Sequence, residues 1–118
     1  MTNNIPLTNR DIASIVSATT YVPGETCSVT NFYIGDLLSF VMGKAQTNCC
    51  WLTIMSNVNV LAVAKLTECS CVLLCDSVIP DAVLLERAQT QNICILGTKL
   101  TSFDSARLIV EYINANKG

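Results

Sequence analysis

Thiols lead the side chains that could do chemistry here: the chain has seven cysteines and no histidine among 118 residues. Without histidine the commonest general base is missing, and so is the usual activator of a serine or cysteine nucleophile. Cys69-Ser70-Cys71 and Cys75, with Cys49-Cys50 upstream, could offer thiolates to a metal. Structural zinc sites need C-x2–4-C pairs on turns, whereas Cys71 and Cys75 bracket an apolar run and would share one face of a strand. The better reading is reduced thiols used as small buried hydrophobes, with no metal and no cofactor. No C-x-x-C redox pair exists.

Other catalytic signatures are also missing. Gly24, Gly35, Gly43, Gly97 and Gly118 are too widely spaced for a phosphate loop, a dinucleotide fingerprint or a nucleophile elbow. The nine acidic residues show no pair that spacing would bring together. Asp11, Asp81 and Asp104 are expected in first turns of helices, where a carboxylate meets the helix dipole favourably, and Asp36 similarly. Asp76 is more open, at a strand end.

The elements that must position these groups alternate. Ile12, Ile15 and Val16 fall at helical spacing over Thr8 to Ala18, and Thr8 with Asp11 makes a capping-box pattern. Tyr21-Val22-Pro23-Gly24 reads as turn punctuation, and Cys27 to Tyr33 as a strand. A helix is expected from Asp36 to Lys44. Then come an apolar run at Cys50 to Met55, a helix at Asn57 to Glu68, and a strand at Cys71 to Cys75. A helix at Asp81 to Thr90, a strand at Ile93 to Leu96 and a helix from Ser102 to about Ala115 complete the chain. Thr101 with Asp104 repeats the capping-box pattern. Short apolar strands separated by helices predict a single three-layer α/β/α domain over residues 1–118 with a mainly parallel sheet.

Such sheets bind ligands where loops and helix starts converge at the carboxyl ends of the strands. Three loops qualify. Ser56, Asn57 and Asn59 follow one strand, Asp76 and Ser77 the next, and Thr98 and Lys99 the last. Together they would offer hydroxyls, amides and one cation to a small polar or anionic molecule. The structural alternative is that Ser56 or Asn57 caps a helix and Thr98 ends a strand. Trp51 is expected in the core or an interface.

Composition narrows the setting. Hydrophobic residues make up 51% and charged residues 14%, against about 25% charged in a typical domain. The surplus predicts a homodimer, a sheet buried on both faces, or both. Lys65, Glu68 and Asp76 interrupt the central apolar region, so no membrane span is expected. Met1 to Arg10 is polar, without a secretory signal pattern, and a cytoplasmic location is expected. Net charge is −2 with basic residues scattered singly, which argues against nucleic-acid binding.

Several blocks resemble the DRTGG domain: Tyr33 to Ser39, Trp51 to Val60, Ala62 to Glu68, and Ile93 to Ala106 with its Thr98-Lys99-Leu100 and Phe103. The resemblance implies a fold similar to the amino-terminal domain of HPr kinase/phosphorylase. It also implies frequent dimerisation, a regulatory or linking role beside partner enzymes, and no activity of its own. The chain departs from the pattern where a D-R-T-G-G string would stand: Glu25 to Phe32 has neither the arginine nor the paired glycines. The expected function is a non-catalytic, dimeric module that senses a metabolite or nucleotide or docks on a partner enzyme. Two alternatives stay open: a small enzyme using Lys99, Asp76 or a thiolate in the strand-end crevice, and a thiolate metal protein.

Overall fold

The computed structural model describes residues 7–116, so residues 1–6 of the polar start lie outside it. The elements run α1 (Asn9–Ile15), β1 (Thr19–Val22), β2 (Asn31–Ile34), α2 (Leu38–Lys44), β3 (Cys49–Thr53), α3 (Asn59–Leu66), β4 (Cys71–Leu74), α4 (Ala82–Gln91), β5 (Ile95–Gly97) and α5 (Ser102–Ala115). One sheet holds all five strands in the order β1-β5-β4-β3-β2. The β2-β3-β4-β5 portion is parallel, and β1 joins its edge antiparallel to β5.

The continuous apolar runs have a direct cause. Every residue of β3 and β4 is buried, so both faces of these strands are covered. Cys49 and Trp51 of β3, Val72 and Leu74 of β4, and Ile95 of β5 pack with Val41 of α2, Val60 and Ala64 of α3, and Leu84 and Ala88 of α4. The intervening residues, Cys50, Leu52, Cys71, Leu73 and Leu96, pack on the opposite face with Ile12 and Val16 at α1 and Ile109 of α5. Three helices thus cover one face and two the other, the expected α/β/α sandwich. Trp51 is fully buried and its indole Nε1 donates to Gly35 O at 2.8 Å, which places it in the core.

Local signals held where side chains close on their own backbone. Thr8 Oγ1 accepts from Asp11 N at 3.3 Å while Asp11 Oδ2 accepts from Thr8 N at 2.9 Å, a complete capping box. At α5 one half forms: Thr101 Oγ1 accepts from Asp104 N at 3.0 Å. Asp36 differs from expectation. It precedes α2, and its Oδ1 accepts from Thr53 Oγ1 at 2.7 Å and Ile54 N at 2.9 Å, tying the end of β2 to the end of β3.

The expected turn at Tyr21 to Gly24 is the largest difference. Thr19–Val22 is the strand β1, paired through Thr19 with Gly97, Thr20 with Leu96 and Val22 with Ile95 across a bulge. The turn begins only at Pro23-Gly24. Gly24 has φ +57°, and a Cβ there would lie 2.7 Å from Cys94 N, so backbone meets backbone. Arg10 braces this turn through its guanidinium, with Nη2 donating to Gly24 O at 2.8 Å. Among the described residues no helix is long and apolar enough to cross a membrane.

Two glycines therefore separate in a stability measurement. Gly24→Ala is expected to cost about 1–3 kcal/mol, because neither the φ nor the Cys94 backbone can yield cheaply. Gly43→Ala, in α2 with nothing within 4 Å of its added Cβ, is expected to gain up to about 1 kcal/mol. Urea unfolding of both variants checks this, and a Gly24→Ala protein as stable as the parent contradicts it.

Candidate functional site

The distribution of helices decides where a crevice can open. The chain leaves β4 for α4 on one face of the sheet and leaves the adjacent β5 for α5 on the other. The two loops diverge, and the space between them is the switch point at which parallel α/β sheets bind ligands. A cavity of about 530 Å³ lies there, lined by Ser77, Val78 and Ile79 after β4, Gly97 to Leu100 after β5, Val16, Ser17, Thr19 and Tyr21 from α1 to β1, and Leu108 of α5.

The crevice gathers Ser77, Thr98 and Lys99 from the residues expected to bind a ligand. Asp76, exposed beside Ser77, is outside its wall. Ser56, Asn57 and Asn59 are not brought to it. The helices after β3 and β4 pack on the same face, so the β3–α3 loop follows its neighbour instead of parting from it. Asn59 instead lines a separate groove of about 320 Å³ between α3 and α4, with Lys65 and Arg87. Asn57 serves the helix start, its Oδ1 accepting from Asn59 N at 3.0 Å. Ser56 O accepts from Asp81 N at 3.0 Å, tying the two neighbouring loops together.

Within the crevice the roles divide. Thr98 is only 5% exposed. Its Oγ1 donates to Val16 O at 2.9 Å and accepts from Leu100 N at 3.2 Å, so its hydroxyl holds the wall in place. Lys99 is exposed and has no ion pair among the described residues. The hydroxyls of Ser17, Thr19 and Ser77 line the space without side-chain hydrogen bonds among those residues. Asp76 and Ser77 hold φ of 61° and 59°, a left-handed pair costing about 1–2 kcal/mol per residue. Asp76 N donating to Leu100 O at 2.8 Å and Ser77 N to Thr98 O at 3.0 Å hold that shape.

Sequence reasoning missed the third wall. Val16, Ser17, Thr19 and Tyr21 arrive because β1 pairs antiparallel with β5 and so starts at the carboxyl end of its partner. The signal was present in Thr19-Thr20-Tyr21-Val22, β-branched and aromatic throughout, but Pro23-Gly24 drew the reading towards a turn. The Tyr21 ring lies against Gly97, where a Cβ would come within 2.5 Å of its Cε2.

Most of the thiols sit elsewhere, in the strands of the sheet or at their ends, while Cys27 lies in the loop before β2. Cys50 and Cys71 are register partners on β3 and β4, and Cys94 immediately precedes β5 on the same face. Cys49 and Cys69 pack on the other face. Among the described residues no group of three or more histidine, cysteine or acidic side chains is arranged to hold a metal ion. Cys49 donates to Cys69, which with burial pushes the Cys49 thiol up. Cys69 is lowered by that bond and by the Thr67 hydroxyl, against the effect of burial. The Cys50 thiol raises Cys71, the Cys71 thiol raises Cys94, and burial raises Cys75.

These shifts give a pH dependence. Unfolded thiols ionise near about 8.5. Above that pH the unfolded chain releases protons that Cys49, Cys71, Cys75 and Cys94 retain when folded, so stability falls as pH rises, by up to about 1.4 kcal/mol per pH unit for each thiol. Cys69 acts oppositely, adding stability between its lowered folded value and about 8.5. Urea midpoints under reducing conditions are expected to decline from pH 8.5 to 9.5, and a flat profile contradicts this.

No family model matches the chain, and no curated protein does. Among the solved structures that match is one with a TM-score of 0.71 at 16% identity, covering 87% of this chain. It is the CBS and DRTGG domains of the regulatory region of Clostridium perfringens pyrophosphatase, in complex with the activator diadenosine tetraphosphate. This chain accounts for 46% of that one, less than half its length. The fold is therefore that of a DRTGG-like α/β domain, as the sequence blocks imply. The likeness extends to architecture alone.

Proposed function

We propose that this chain is a non-catalytic regulatory module that takes a small polar or anionic molecule, a metabolite or a nucleotide, into the crevice between β4 and β5. The carrying observation is the crevice itself: a strained loop, an unpaired lysine and free hydroxyls converge at the one place where the helices part to opposite faces. A fold shared with a regulatory region that binds an activator is consistent with that role. The enzymatic alternative draws less support. Asp76 stands outside the wall, no carboxylate or thiol is among the lining residues, and burial raises Cys75, which contacts Leu73 O at 3.7 Å.

Thermal-shift measurement against nucleotides, phosphorylated metabolites and organic acids tests the ligand. A true ligand at one hundred times its Kd stabilises by about 2.7 kcal/mol, a rise of several degrees that Lys99→Ala is expected to diminish. A flat response across the panel removes the sensing role and leaves docking.

The module acts as a homodimer in this reading, with β2 at the contact. β2 pairs only with β3 and leaves an open edge without charge or proline. Phe32 and Ile34 on that strand, Leu37, Phe40 and Met42 beside it and Ile54 after β3 include most of the exposed large apolar side chains of the described residues. Sedimentation equilibrium is expected to give a dimer that Ile34→Lys combined with Phe40→Ser converts to monomer. A wild-type chain that is monomeric at tens of micromolar rules this out.

A further inference from the structure

We propose that the crevice selects a planar ring system bearing one negative charge and rejects polyphosphates. The inference rests on the reading that the crevice binds a ligand, and deepens it by naming the class. The wall is mostly apolar, with Val16, Val78, Ile79, Leu100, Leu108 and Tyr21 among its lining residues. The Tyr21 ring is set against the Gly97 backbone, which has no Cβ to lift it away, and so presents a fixed aromatic surface to a flat ligand. A volume of about 530 Å³ lies within the range of sites for one small molecule.

The charge count sets the second half. Lys99 is the one cation among the lining residues, and the remaining polar side chains there are neutral hydroxyls. Ser102 and Phe103, in the first turn of α5, are not among the residues that line the crevice. One ammonium can pair with one negative group. Each further phosphate would leave water for a mostly apolar wall that offers it no second cation, which costs more than it returns. Exposed Ile79, at 75%, forms an apolar lip that such a ligand ring would cover.

Two sources share this chemistry: a cyclic nucleoside monophosphate, whose phosphodiester carries one charge, and an aromatic monocarboxylate. Isothermal titration of the full chain with cyclic adenosine monophosphate, indole-3-acetate, adenosine triphosphate and diadenosine tetraphosphate separates them. One of the first two is expected to bind, and the two polyphosphates at least about tenfold more weakly. Lys99→Ala weakens the bound compound by about tenfold while Lys99→Arg retains it. Ile79→Asp, at an exposed position, also weakens it without loss of the folded circular-dichroism signal. Tighter binding of either polyphosphate that Lys99→Ala abolishes overturns the inference, and so does the absence of binding by all four. If the wider thermal-shift panel then yields a Lys99-dependent ligand, sensing stands and only the class is wrong. If that panel is flat as well, both fall.

Discussion

Burial of β3 and β4 on both faces is the constraint from which the rest of this domain follows. With every residue of these strands inside, each face needs its own helical layer, and neither layer can be removed without exposing leucine, valine or tryptophan to water. Backbone N–H and C=O groups at these positions have no solvent to turn to, so the parallel ladder from β2 to β5 satisfies them. Small side chains suit the inner rows. Cys49, Cys50, Cys71 and Cys94 fill positions close to neighbouring strands; contact with Cys69 and burial raise Cys49, and contacts within the Cys50, Cys71 and Cys94 group with burial raise Cys71 and Cys94.

The same demand for two layers makes the crevice. A chain whose crossover helices all covered one face would leave the other bare, so the helix after β5 must cross to the far side, where it packs with α1. The parting of two adjacent connections is then unavoidable, and the gap between them is the cost of closing the second face. Thr98 shows how closely the wall belongs to the fold. Its hydroxyl joins the end of α1 to the end of β5 over 82 residues of sequence, while the neighbouring Lys99 remains free. The left-handed Asp76-Ser77 pair is retained for a reason of shape, since its backbone bonds reach Thr98 and Leu100 on the opposite lip.

The open side of the sheet lies at the other end. β1 protects β5, and its bulge and the following Pro23-Gly24 limit further pairing there. β2 has no such protection, and exposed Phe32 and Ile34 lie along it, with exposed Leu37, Phe40 and Met42 nearby in the chain. An apolar edge of this kind is a place for a second chain. The crevice beside β1 and the open edge at β2 thus lie at opposite edges of the sheet.

Alternation of apolar runs with helical spacing was enough to establish an α/β/α sandwich, because period and length are local properties of the chain. Capping at Thr8 and Thr101 was legible for the same reason, since each involves residues three apart. The core place of Trp51 and the burial of Cys49, Cys50, Cys71, Cys75 and Cys94 also followed from residue type and periodicity. What could not be read was which face each helix takes and which strand pairs at the edge. Ser56, Asn57 and Asn59 look as suited to a site as Ser77 and Lys99, yet only the second pair lies where connections part. Thr19 to Val22 became a strand through pairing with Ile95 to Gly97, more than seventy residues away. Those choices depend on covering both faces of one sheet with a limited number of helices, a requirement that exists only once the strands have assembled.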